Sequence, residues 1–434
     1  MKMGGLHAFI PTSRRVREEP AALSVDGVGI STEAPTNVDL FIQADRSVIR
    51  LVELLIECAH AARASDVHLD PSSDLLCIRW RVDGALADAY TLPRTLHAEV
   101  ISRIKILSGL RIDEHYGAQD GRFRLQLATN VSVDVRVSIA PTYYGENAVL
   151  RLLSDGASEF SLDSLGFTGH DQDVILQALA HPYGMILATG PTGSGKTTTM
   201  YTLVQMLNQP DISIITLEDP IEYSIPRVRQ IQINPKSGLT FGSGLRSMLR
   251  QDPDVIMVGE IRDEETAGLA VNTALTGHRV LSTLHTNDAP TTVTRLLDMG
   301  VEPYLIASTM SLAIGSRLVR RICAVCKTPK ALDDHEMLSI STHVPPEILG
   351  SRPQFFLGAG CNTCDHTGFR GRAGLHEVMA VTGAVRDAIV MRLPAGEIRR
   401  IAIENGMVPL LADGFRKAAQ GITSIAEVLK LRYE

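Results

Sequence analysis

The sequence predicts a mixed α/β protein: a small α+β domain, then a larger domain built on a mostly parallel sheet covered by helices. Three observations carry this. Between about residues 48 and 153, segments of helical periodicity alternate with segments of strict two-residue periodicity. From about residue 161 the apolar segments MILATG, SIITLED, DVIMVGE and RVLSTLHT recur with helical stretches between them, the order that produces a parallel sheet. One of these segments runs directly into a glycine-rich turn followed by a helix pattern.

Composition agrees. A chain of 434 residues has room for two or three domains. With 44% hydrophobic and 21% charged residues it is neither disordered nor fibrous. A net charge of −7 is a poor match for wholesale binding to nucleic acid. No apolar run is long enough for a transmembrane helix or a secretory signal, so cytoplasmic residence is expected. Six cysteines in a chain of this length do not read as a disulfide framework.

In chain order, residues 1–45 carry Pro11, Pro20, Pro35 and the basic cluster Arg14, Arg15 and Arg17, and read as a flexible tail with a solvated charge run. The small α+β domain spans 46–153. VIRLVELLIECAHAARA is spaced as a helix, and Ser65–Asp70 as a short strand. LLCIRWRVDGAL reads as a hairpin turning at Asp83-Gly84. A helix over Leu96–Leu110 and two alternating strands, FRLQLA and VSVDVRVSIA, complete it. The larger domain spans 154–434. It carries a cysteine-bearing insertion at 321–372 and a helical part at 373–434, which ends in a capped helix, TSIAEVLKL.

Gly190-Pro191-Thr192-Gly193-Ser194-Gly195-Lys196-Thr197 fits G-x-x-x-x-G-K-[ST] in the strand–loop–helix setting the motif requires. Glycines let backbone N–H groups wrap phosphates, and the helix N-terminus adds partial positive charge. Lys196 then reaches the outer phosphates and the Thr197 hydroxyl holds Mg²⁺. Ligands of parallel sheets sit beyond the carboxyl ends of the strands. Glu260 ends one such strand and is placed to activate a water or hold the metal through one. Glu218, Asp219 and Glu222 end another, either as a turn cluster around Pro220 or as neighbours of a cation. His278 and His285 flank a further strand, a pattern that leans toward sensing the γ-phosphate. Cys323-x-x-Cys326 and Cys361-x-x-Cys364 read as one closed, structural Zn²⁺ site of four thiolates, with the long segment between them protruding as a loop. Cys58 and Cys77 lie on apolar patterns and read as core.

These motifs, in this order, resemble the secretion ATPases of type II secretion and type IV pilus assembly, the GspE/PilB group. GPTGSGKTTT is similar to its Walker A, ITLEDPIEY to its Asp box, LRQDPDVIMVGEIRD to its Walker B and TGHRVLSTLHTNDA to its His box. ASDVHLDP and VRVSIAPTYYGENAVLRLL resemble its preceding domain, and GCNTCDHTGFRGRAGLHEV with MVPLLADGFRKAAQGITSIAEVLK its C-terminal parts. The likeness runs from about Ser47 to Leu431.

The resemblance implies a RecA-like P-loop NTPase domain preceded by a PAS-like domain. It implies ATP, Mg²⁺ and Zn²⁺ as cofactors, with Thr198 joining Lys196 and Thr197 in the cradle. It makes Glu260 the catalytic carboxylate and puts Glu218 and Asp219 near the metal and attacking water. His285 and His278 then couple nucleotide state to movement. Arg136, Arg151, Arg246 and Arg250 correspond to nucleotide-facing arginines, whose charge would stabilise the γ-phosphoryl transition state. It further implies a homo-hexamer at the inner face of the inner membrane, working with platform and recruiting proteins and not with nucleic acid. The family's extra N-terminal docking domain has no room before residue 46, and its R-x-P-Q-D-G stretch is replaced by Tyr116-Gly117-Ala118-Gln119-Asp120-Gly121. The zinc cysteines argue against the pilus-retraction branch. The expected function is a Mg²⁺-dependent ATP hydrolase powering pseudopilus assembly, with pilus extension as the alternative. A nucleic-acid motor or a non-catalytic nucleotide-binding scaffold are more distant ones.

Overall fold

The computed structural model describes residues 47–154, 160–331 and 354–431. The expected N-terminal tail, and most of the loop expected between the cysteine pairs, lie outside these residues.

The first domain begins with α1 (Val48–Ala61), which buries Leu51, Val52, Leu55, Ile56 and Ala59 along one stripe. That stripe and α2 (His97–Leu107) cover a six-stranded antiparallel sheet. Its strands are β1 (Ala64–Pro71), β2 (Leu75–Val82), β3 (Ala85–Pro93), β4 (Gln119–Gln126), β5 (Ser132–Thr142) and β6 (Gly145–Ser154), in the order β3-β2-β1-β6-β5-β4. The expected turn joins β2 to β3: Asp83 and Gly84 have φ of 50° and 87°, and two positive φ values suit the twist of a two-residue hairpin. β6 was not anticipated from periodicity, because Val149-Leu150-Arg151-Leu152-Leu153 has too little alternation.

The larger domain opens with α3 (Gly169–Ala180), which is capped by Thr168 and Asp171. Its sheet contains β7 (Gly184–Thr189), β8 (Ile214–Glu218), β9 (Arg229–Gln232), β10 (Val255–Val258), β11 (Arg279–Leu284), β12 (Met310–Ile322) and β15 (Phe369–Ala380). The order is β15-β12-β7-β11-β10-β8-β9, parallel throughout except for β15 at one edge. β7, β8 and β10 are buried at every position, as parallel strands covered on both faces must be. Met185 and Leu187 of β7 enter one core layer, Ile186 and Ala188 the other. The helices are α4 (Lys196–Leu207), α5 (Phe241–Met248), α6 (Glu264–Leu275), α7 (Ala289–Asp298) and α8 (Pro303–Thr309). After β15 come α9 (Gly383–Val390), α10 (Ala395–Glu404), α11 (Leu410–Ala419) and α12 (Ile425–Lys430).

The cysteine segment is better anchored than a loop closed only by metal. β12 and β15 are long members of the main sheet and carry the chain into and out of it. A two-stranded ladder, β13 (Lys327–Lys330) with β14 (Phe355–Gly358), adds to it. The two domains meet where Arg136 donates to the Ile221 carbonyl at 2.6 Å and where the Gly371 N–H donates to Asp83 at 2.6 Å.

Candidate active site and metal centre

The parallel register brings the predicted strand ends to one edge of the sheet. Leu284 pairs with Thr189, and Val258 with both Ser282 and Leu217. The loop after β7, the carboxyl ends of β8 and β10 and the His285 segment after β11 therefore share one rim.

The glycine loop is folded as a cradle. Gly190, Gly193 and Gly195 all have positive φ, a backbone that L side chains rarely adopt. A Cβ on Gly190 would come within 2.5 Å of both Ser194 Oγ and the Ser316 carbonyl. Lys196, at the first turn of α4, is buried and donates to the Gly190 and Pro191 carbonyls at 2.7 and 2.9 Å. Burial pushes its ammonium down to about 8; Glu260 opposes this and Arg317 adds to it. Ser194 Oγ is buried without a hydrogen-bond partner. An orphaned hydroxyl inside a ring of left-handed glycines fits a phosphate oxygen. Thr197 is exposed at the start of α4, and Thr198 gives its carbonyl to the Thr202 hydroxyl.

Glu260 faces this cradle. Thr283 brackets it, donating from its hydroxyl to the Gly259 carbonyl and accepting from the Ile261 N–H. One carboxylate oxygen pairs with Arg262, and the other lies 3.2 Å from His285 Nε2. Thr189, the last residue of β7, is hydrogen-bonded to Thr286, both as acceptor of its N–H and hydroxyl to hydroxyl. The His285 segment is thus fastened to the root of the cradle. Arg262 was not singled out by sequence reasoning, although it lies two residues from Glu260 in the same motif.

Other predicted residues are placed differently. Glu218 is buried, and its oxygens are taken by Tyr201, Thr216 and Gln230. Asp219 is the exposed member of that pair. Glu222 pairs with Arg136 at 3.2 Å, and Arg151 pairs with Asp66 at 2.9 Å. Arg246 pairs with Glu265 and lines an open groove with Asp263, Glu264 and Glu302; Arg250 donates to the Arg246 carbonyl. His278 sits at the amino end of β11, where Arg279 pairs with Gly184, and its Nδ1 lies 3.1 Å from the Thr273 carbonyl. A six-residue strand separates it from His285, about 20 Å at 3.3 Å per residue. The structure therefore does not bring His278 to the cradle. A histidine at each end of one strand cannot serve one rim, which the flanking pattern alone did not reveal.

Because three donors converge on the buried Glu218, its removal strands them. Glu218→Ala is expected to lower stability by about 1–3 kcal/mol in urea unfolding, with nucleotide affinity kept within a few-fold of wild type. A large loss of affinity at unchanged stability would place Glu218 in the ligand site instead.

The four paired cysteines converge. Their sulfurs all lie within 4.8 Å of one another, with Cys323–Cys361 at 3.9 Å, Cys326–Cys364 at 3.8 Å and Cys361–Cys364 at 3.7 Å. Four thiolates at about 2.3 Å around a tetrahedral Zn²⁺ stand about 3.8 Å apart, so the cluster fits that ion. Burial opposes ionisation of Cys364, but hydrogen bonds from the Cys361 and Gly368 N–H groups outweigh it and bring the thiol down to about 7.

Comparison with known proteins adds to this geometry. The family model described as "Type II/IV secretion system protein" matches residues 42–430. The chain is 43% identical over 425 residues to the type II secretion system ATPase E of Vibrio cholerae, covering 97% of this chain and 83% of that protein. It is 41% identical over 406 residues to the type IV pilus assembly ATPase PilB of Myxococcus xanthus, covering 93% and 71% respectively. Among solved structures, the ATPase DotB of Legionella pneumophila superposes with a TM-score of 0.64 at 23% identity, covering 92% of this chain and 96% of that one. The pilus retraction motor PilT with bound ADP superposes at 0.61 and 24% identity, covering 87% and 96%. Those two likenesses speak to the fold.

Proposed function

Because the chain belongs to the type II/IV secretion system protein family, we propose that it is an ATP-hydrolysing motor that powers pseudopilus assembly in type II protein secretion. The observation that supports this best is the placement of the Lys196 cradle and Glu260 on one sheet rim. ATP would supply the γ-phosphoryl group, and the Thr197 hydroxyl would hold Mg²⁺, which when bound would offset the charge that develops on that group. The loop amides and Lys196 bind the phosphates. Glu260 orients the attacking water and takes its proton. His285 and Arg262 hold the Glu260 carboxylate between them and carry its displacement to α7 through Thr286.

Arg136 and Arg151 reach the phosphates only by exchanging Glu222 and Asp66 for them, which closes the first domain onto the second. Arg246, which pairs with Glu265 at an open groove, is available to a neighbouring subunit, in keeping with a homo-hexamer. Cys323, Cys326, Cys361 and Cys364 would hold Zn²⁺, which would tie together the segments they lie on. No helix among the described residues is long and apolar enough to cross a membrane; in this reading platform and recruiting proteins hold the chain at the inner membrane.

Type IV pilus extension is the alternative, favoured by the likeness to the Myxococcus protein. Complementation of a deletion strain decides between them. Wild type is expected to restore extracellular protein export, and Lys196→Ala to fail. Restoration of surface pili with export unaffected selects pilus extension. Full restoration by Lys196→Ala overturns both readings.

A further inference from the structure

We propose that Glu377 is a positioning residue for hydrolysis: its one carboxylate holds the first N–H groups of α7 and α11 together, so that the His285 segment is set against the sheet and its movement reaches the C-terminal helices. The proposal rests on reading Glu260 and His285 as parts of an ATP-hydrolysing site.

One row crosses the sheet at the root of the cradle. Glu377 of β15 pairs with Gly315 of β12, Gly315 with Thr189 of β7, and Thr189 with Leu284 of β11. Glu377 is only 1% exposed, and its side chain lies over Gly315, where a Cβ would come within 2.7 Å of Glu377 Cγ. The bare glycine leaves the carboxylate room to reach across β12. Oε1 accepts the Ala289 N–H, the first of α7, at 2.6 Å. Oε2 accepts the Leu410 N–H, the first of α11, at 3.2 Å. Both helix dipoles favour an anion placed between their N-termini. Pro409 gives α11 no side-chain cap, so Glu377 takes that role from another strand.

The residue that Glu377 holds ends the His285 segment. His285 faces Glu260, Thr286 is fastened to Thr189, and Asp288 caps α7 while pairing with Arg399 of α10. Ala289 follows directly. A shift at His285 therefore pulls on Glu377, because otherwise a buried hydrogen bond to a carboxylate must break. The second oxygen passes that pull to α11. This helix shares a small core with the cysteine segment, in which its Phe415 clusters with Phe355 of β14. One buried carboxylate thus joins the rim that carries Glu260 to the far end of the chain.

The test is hydrogen exchange read by mass spectrometry on the full-length chain, with and without a non-hydrolysable ATP analogue and Mg²⁺, in wild type and Glu377→Gln, beside phosphate release from ATP. In wild type the nucleotide is expected to slow exchange about tenfold at the starts of α7 and α11 together, the effect of one strengthened hydrogen bond. Glutamine keeps the shape but accepts through one oxygen only, and its NH₂ faces the other N–H group. Glu377→Gln should therefore respond to nucleotide at one of the two helices and by less than about twofold at the other. Its kcat should fall about tenfold with KM within about twofold of wild type, because no cradle group touches Glu377. A merely structural role would speed exchange equally with and without nucleotide and leave the response at both helices. A wild-type response at α7 without one at α11 overturns the proposal, and this comparison decides even if the variant does not fold. So does Glu377→Gln that responds at both helices, keeps wild-type kcat or loses activity through KM alone. Wild type with no turnover, or with no exchange response to nucleotide anywhere, sinks the ATP-hydrolysis reading itself, a different outcome from failure at Glu377.

Discussion

Glu260→Gln is expected to lower ATP turnover by about 10²–10⁴-fold, the range spanned by loss of a positioned general base. Nucleotide binding should stay within a few-fold of wild type. The two effects separate because Glu260 touches the cradle only across space. The proposed phosphate-binding groups are the loop amides and Lys196, and Lys196 donates to the Gly190 and Pro191 carbonyls rather than to Glu260. The carboxylate is anchored independently, by Arg262 on one oxygen and His285 on the other. Glutamine keeps the volume and an acceptor oxygen, so the rim should not collapse, but it cannot take a proton from water. Phosphate-release assays beside equilibrium binding check this. Near-normal turnover would remove Glu260 from the chemistry; lost binding would make it a ligand of the nucleotide or its metal.

Loss of the proposed Zn²⁺ site should act as strongly on the fold. Structural zinc contributes about 10–16 kcal/mol of apparent binding energy in small zinc domains, and removing one of four thiolates forfeits much of it. Cys364→Ser is the most informative change, because that sulfur accepts N–H groups from both Cys361 and Gly368 and is buried. Elemental analysis is expected to give about one Zn²⁺ per wild-type chain and less than about a tenth of that in the variant. Limited proteolysis should then cut first within 321–372. The main sheet should survive, because β12 and β15 are held to each other along most of their length without the metal. Zn²⁺ retained at wild-type level in Cys364→Ser would contradict the four-thiolate site.

Much of this was legible in the sequence, for a physical reason that differs from element to element. The glycine loop is readable because its backbone conformation tolerates few residues, so spacing and geometry are tied together. β7, β8, β10 and β11 announce themselves as short, continuous apolar runs, since strands covered on both faces have no polar side. β12 and β15 do not, because Arg317, Arg320, His376 and Glu377 interrupt the apolar run. Each of these is accommodated in three dimensions. Glu377 caps the N-termini of α7 and α11 through the Ala289 and Leu410 N–H groups, and Arg320 pairs with Glu427. Burial pushes His376 down to about 4, so it stays neutral, with the Leu165 carbonyl and Ser316 beside its ring nitrogens. Such partners lie far away in the chain, and periodicity cannot show them. The rim itself follows the same logic. Which end of a strand a residue occupies can be read from sequence, so Glu260 and His285 converge with the cradle. Which side-chain partners will claim a carboxylate cannot, and Glu218 is claimed by Tyr201, Thr216 and Gln230.

The most direct test of the account is steady-state phosphate release from ATP by the purified full-length chain, with Mg²⁺ and with the Mg²⁺ chelated, in wild type and in Lys196→Ala. Mg²⁺-dependent turnover is expected in wild type and background release in Lys196→Ala. Wild type that releases no phosphate above buffer, or Lys196→Ala that matches it, would contradict the account.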